Sequence, residues 1–95
     1  MYVITTMKDY NALSPNEKKN FRDNEVKKQD GKCLLCDEPF PKSLVSATMP
    51  VVDHDHKTDR IRGMLHSQCN MNLQVIEGHL EDDWIEKARD YISKY

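Results

Sequence analysis

Val52-Asp53-His54-Asp55-His56-Lys57-Thr58-Asp59-Arg60-Ile61-Arg62-Gly63-Met64-Leu65-His66-Ser67-Gln68-Cys69-Asn70, preceded by Gly31-Lys32-Cys33-Leu34-Leu35-Cys36, is the stretch from which the fold is read. Lys57-Thr58-Asp59 has turn composition, and Arg60 to Leu65 alternates as a strand does. Before the turn, residues 44–53 are extended by composition, with Val45, Thr48, Val51 and Val52; Pro50 predicts an edge position or a bulge there. A helix should begin near Ser67 or Gln68 and carry Asn70, Leu73, Val75 and Ile76 before Gly78. The order is strand, turn, strand, helix.

Two short knuckles bracket this unit. Cys33-x2-Cys36 and His66-x2-Cys69 each offer two ligands to one ion, and together they make a tetrahedral Cys3His set. The 29 residues between them hold the whole expected hairpin, so zinc would close a long loop and fix the hairpin base to the following helix. All four ligands complete one shell, which makes this zinc structural: no position is left for water. Three cysteines form a poor disulfide framework, and a redox role for the C-x-x-C lacks the surrounding βαβ pattern. Unliganded small residues would explain one knuckle, but a matching second one argues for metal.

Between the knuckles, Asp53-His54-Asp55-His56 is dense in acid–base groups and hard-metal ligands. Phosphodiester hydrolysis needs a base for water and a cation to polarise the phosphate. An imidazole, with an unperturbed pKa of about 6.5, accepts a proton near neutrality. Carboxylate and amide oxygens suit Mg²⁺ or Mn²⁺. Asn70, directly after the last zinc ligand, lies in the first helical turn, where the knuckle would fold it back toward Asp53. A single cation held between hairpin and helix gives an α+β, zinc-stapled ββα-metal architecture with flanking N- and C-terminal helices.

These residues resemble the recombination endonuclease VII family of phage nucleases, of the HNH (His-Me finger) type, over about residues 17–74. The resemblance implies that Asp53 and Asn70 hold the catalytic divalent metal, that His54 is the general base and that the two knuckles bind structural zinc. It further implies cleavage of duplex or branched DNA to 5′-phosphate and 3′-hydroxyl ends, with hairpin and helix docked at the minor groove. Nicking, double-strand cleavage and junction resolution all remain open, as do monomer and homodimer. The family usually has Cys where this chain has His66, an acceptable zinc ligand, and Gly where it has Asp59, a residue that tolerates turn geometry.

Roles for the neighbours stay divided. Asp55 either caps the turn or bonds a neighbour, and His56 either supports the site or donates to phosphate. Lys57, Arg60 and Arg62 are candidate phosphate contacts, Arg60 and Arg62 sharing a strand face by period two; the alternative is a solvated face. The rival of another class is a zinc-dependent module that binds nucleic acid or protein without cutting.

Further out, Ser14-Pro15-Asn16-Glu17 is a capping box with Pro at the first helical position, predicting a helix to about Gln29. Asp30-Gly31 breaks it, Gly31 being suited to a left-handed stop. Residues 1–13 have no clear period and are expected to be a loosely attached arm. An amphipathic helix over 82–93 should bury Trp84, Ile85, Ala88, Tyr91 and Ile92, while His79 reads as a surface residue.

Ninety-five residues make one domain, with residues 30–78 its zinc-bound core. At 38% apolar and 32% charged, the chain has a thin core and needs a staple. The net charge of −2 does not announce a nucleic-acid binder, but it is uneven: residues 77–95 carry −3, leaving +1 over residues 1–76. No signal-peptide pattern or membrane span is visible, so a reducing cytoplasm is expected, that of the host for a phage protein.

Overall fold

The computed structural model describes residues 3–42 and 46–95. In chain order it contains α1 (Met7–Asn11), α2 (Pro15–Lys28), β1 (Pro50–His54), β2 (Ile61–His66), α3 (Ser67–Glu77) and α4 (Trp84–Lys94). The strand expected over 44–53 is shortened: residues 44–45 lie outside the described residues, and residues 46–49 form a turn and a bend whose carbonyls serve the start of the helix after β2, so β1 begins at Pro50. Pro50 opens β1, where its missing N–H costs no ladder bond.

β1 and β2 pair antiparallel, Pro50 opposite His66 and Asp53 opposite Gly63. The register then slips: His54 faces Ile61, and Arg62 has no partner across the ladder. This bulge bends the hairpin and re-aims the side chain at its extra residue. The turn is built as a side-chain cap. Asp55 Oδ1 accepts from the backbone N–H of Lys57 (2.7 Å) and Thr58 (3.1 Å), and Asp59 takes a left-handed φ of 64°. Those two bonds lower the Asp55 carboxyl pKa, the Lys57 bond foremost. Asp55 therefore caps the turn.

β2 runs into α3 without a loop. His66 ends the strand and is also the residue before the helix, and its side chain makes no cap bond. The free N–H groups of Ser67 and Gln68 donate instead to the carbonyls of Met49 and Ala47, both at 2.9 Å. The start of α3 is thereby tied to the segment entering β1.

α2 begins at the expected capping box on Ser14 and Glu17. It ends in a Schellman arrangement, Gly31 N–H to Val26 O at 2.9 Å and Asp30 N–H to Lys27 O at 3.1 Å. Asp30, at φ 57°, takes the first left-handed position that the sequence suggested for Gly31, which follows at 74°. Gln29 then bridges α2 to β2: its Nε2 donates to Met64 O and Lys32 O, and its Oε1 accepts from Met64 N–H at 2.8 Å. Gly63 permits this approach, since a Cβ there would lie 2.6 Å from Leu34 Cδ2 and 3.1 Å from Gln29 Oε1.

Two expectations are corrected. Residues 5–13 are not a loose arm. Met7 N–H donates to Asp59 O, Ile61 N–H donates to Thr5 O, and Thr6 bridges Arg60, so this segment lies along the hairpin. Backbone bonds of this kind leave no periodic trace in side chains. Tyr10 is buried beside the Phe21 ring, and its hydroxyl accepts from Arg22 at 2.6 Å.

Nor does α4 pack across the core. Trp84, Tyr91 and Ile92 are 48%, 66% and 74% exposed, and no residue of the helix is buried. After α3, His79 pairs with Asp82 (2.9 Å) and stacks on Trp84 (ring centroids 4.6 Å apart), so Trp84 is taken up at the turn rather than in the core. The molecule is elongated, 53 × 31 × 19 Å. Among the described residues the buried apolar set is only Tyr10, Cys33, Met64 and Leu65.

Candidate functional site

The two knuckles converge. One donor atom from each of Cys33, Cys36, His66 and Cys69 lies within 4.8 Å of all the others. His66 Nδ1 is 3.3 Å from Cys36 Sγ and 3.9 Å from Cys69 Sγ. With metal–ligand bonds of about 2.0–2.3 Å, tetrahedral zinc sets donors about 3.5–3.8 Å apart, so the cluster fits that ion. The other imidazole nitrogen, Nε2, lies 3.1 Å from the Pro39 carbonyl. A proton on Nε2 donated to that carbonyl leaves Nδ1 bare toward the thiols, the tautomer a metal requires. Phe40 packs edge-on against the same ring.

The thiols differ. Burial pushes Cys33 up, but N–H groups of Cys36, His66 and Leu35 aimed at its sulfur outweigh this and bring it to about 7. Burial and the neighbouring thiols push Cys69 up. The cluster thus has one sulfur prepared as thiolate, while a cation is needed to deprotonate Cys69.

Asp53 sits at the buried end of β1, 5% exposed. Both its oxygens are engaged by Arg62: Nε donates to Oδ2 at 2.8 Å and Nη2 donates to Oδ1 at 2.9 Å. The same Nη2 donates to Glu77 Oε1 at 2.7 Å. The bonds to the two carboxylates, that to Asp53 foremost, raise the Arg62 pKa above its already high value. Arg62 is therefore not a free cation on a shared face with Arg60. The bulge breaks the period-two alternation and turns Arg62 onto Asp53.

His54 closes β1, half-buried, with its ring edge-on to His56 at a centroid distance of 4.6 Å. Exposed His56 and Lys57 line a cleft of about 700 Å³ together with Asp55, Arg62 and Glu77. Arg60 is exposed beside Thr6. Asn70 lies in the first turn of α3, half-buried, and its side chain bonds to no other described residue.

Sequence reasoning missed Glu77, counting it only with the acidic C-terminal segment. Its position held a signal: seven residues, nearly two helical turns, separate it from Asn70, so both lie on one face of α3. Through Arg62, that face is bonded to Asp53.

The model of the recombination endonuclease VII family matches residues 5–94. The chain belongs to that family. The match takes in both knuckles, the hairpin and the helices on either side. The Gene 59 protein of Mycobacterium phage D29 is 35% identical over 68 residues, covering 70% of this chain and 37% of that protein. The chain thus spans little more than a third of this relative's length. No solved structure matches the chain. Within an endonuclease VII frame, His66 stands as the fourth member of the metal cluster, where its Nδ1 meets the thiols. Among the described residues no helix is long and apolar enough to cross a membrane.

Proposed function

We propose that the chain is an HNH-type, divalent-metal-dependent DNA endonuclease in which a structural zinc on Cys33, Cys36, His66 and Cys69 holds the catalytic hairpin against α3. The observation that carries this reading is the bonded chain Asp53–Arg62–Glu77, which ties the α3 face bearing Asn70 to the end of β1. Family membership supports DNA as the substrate class.

In this reading His54 takes the proton of the attacking water, and His56, in ring contact, holds the imidazole in place. Asp53 and Asn70 supply hard oxygen donors to Mg²⁺ or Mn²⁺. A cation bound there would supply charge to polarise the scissile phosphate; water, deprotonated by His54, attacks phosphorus, the P–O3′ bond breaks and the 3′ oxygen takes a proton from solvent, giving 5′-phosphate and 3′-hydroxyl ends. Lys57 and Arg60, both exposed, contact backbone phosphates and position the duplex without reading sequence. The net charge of −2 makes that attachment weak and salt-sensitive.

Supercoiled plasmid incubated with the zinc-loaded protein tests the reading. Relaxed circles should form with Mg²⁺ or Mn²⁺, not with hard cations chelated, and the nicks should be sealed by DNA ligase. One observation favours a zinc module that binds without cutting: Arg62 already occupies both oxygens of Asp53. DNA binding without any metal-dependent nick would establish that alternative.

A further inference from the structure

Asp53 is at once a proposed cation ligand and a carboxylate already gripped by a guanidinium. Arg62 forks onto both oxygens at 2.8 and 2.9 Å, using one lone-pair site on each. About two sites remain for a cation. A dication entering there would lie a few ångströms from a fixed positive charge, in a site screened from water because Asp53 is 95% covered. The fork and the cation therefore compete.

Glu77 makes an exchange possible. Its Oε1 already accepts from Arg62 Nη2 at 2.7 Å, so the guanidinium can leave Asp53 without becoming unpaired. Arg62 stands at the bulge with its side chain 35% exposed, on the wall of the cleft of about 700 Å³ that His56, Lys57 and Glu77 also line. There is space on that side to receive it.

We propose that Arg62 is a gate on Asp53, holding the carboxylate in the metal-free protein and pivoting toward Glu77 and the cleft when Asp53 takes a divalent cation, where it meets a phosphate of the DNA backbone. The inference rests on the reading of Asp53 as a cation ligand. It assigns Arg62 two successive partners and makes metal loading and phosphate capture one event. Glu77 acts as a positioning residue that keeps the guanidinium beside its second post.

Binding of Mn²⁺ to the zinc-loaded protein, followed by the electron paramagnetic resonance signal of free Mn²⁺, tests the gate without DNA or activity. Arg62→Gln should bind Mn²⁺ at least about tenfold more tightly than the native chain, a coupling of ordinary size between two competing ligands. Glu77→Gln should bind it several-fold more weakly, because the guanidinium loses the carboxylate that draws it off Asp53. A residue with a merely structural role would shift Arg62→Gln the other way. Unchanged or weakened binding by Arg62→Gln, with native zinc content and circular dichroism, overturns the gate. Should that variant fail to fold, Arg62→Lys keeps the charge without the fork and must still bind Mn²⁺ more tightly than native; weaker binding overturns the proposal. Asp53→Ala, which removes both oxygen donors, separates the two levels: Mn²⁺ affinity that survives it overturns the ligand reading beneath the gate, whereas Asp53-dependent affinity unmoved by Arg62→Gln overturns the gate alone.

Discussion

Replacing His66 probes the clasp at its most informative ligand. His66→Ala removes Nδ1 from between Cys36 Sγ (3.3 Å) and Cys69 Sγ (3.9 Å) and releases the Pro39 carbonyl from Nε2. The consequence is large because little else holds the hairpin. Beyond the ligand Cys33, the buried apolar residues among those described are Tyr10, Met64 and Leu65, and each such side chain contributes about 1.5–3 kcal/mol. Zinc in small domains contributes about 10–16 kcal/mol at neutral pH, more than that set together. Losing one of four ligands should weaken zinc by at least about a hundredfold, close to 3 kcal/mol, a large fraction of the stability of a domain this size. His66→Cys restores a fourth ligand and should keep the metal. Thermal melts by circular dichroism, with zinc measured on the same samples, check both variants. Native protein and His66→Cys should melt cooperatively with one zinc, and His66→Ala or chelator-treated native protein should melt broadly or be unfolded at 25 °C. A sharp, native-like transition in zinc-free protein would refute the reasoning.

Asn70→Ala should retain zinc while nicking falls at least about a hundredfold, measured as zinc content and plasmid relaxation on one preparation; loss of zinc would place Asn70 in the wrong role. Asp55→Ala frees the Lys57 and Thr58 N–H groups and should lower stability, read as a downward shift of the urea midpoint; an unmoved midpoint would contradict the cap. Met64→Ala, at a fully covered site, should cost about 2–5 kcal/mol, against about 0.5 kcal/mol or less for Ile92→Ser on exposed α4; similar midpoints for the two would contradict the assigned core.

The clasp and hairpin were legible because their signals are local. Two ligand pairs, a polar turn and alternating apolar residues each announce themselves within a few positions, and the Ser14–Glu17 capping box does so within four. What escaped depends on partners distant in sequence. The N-terminal segment lies along the hairpin through backbone bonds such as Met7 N–H to Asp59 O, which need no particular side chain. Arg62 read as a free surface cation because strand alternation was assumed regular, and a single unpaired residue turned it onto Asp53. Glu77 entered the site only as the second partner of Arg62. In α4 the periodicity was real, but an amphipathic face states only that apolar residues share a side, not that this chain covers them.

His54 is the proposed proton acceptor in the metal-dependent cut. That role is tested most directly by the Mn²⁺-dependent nicking rate of His54→Ala at zinc content matched to native, measured with and without added imidazole. A fall of at least about a hundredfold, partly restored by imidazole, is predicted. A rate equal to native would rule His54 out as the base.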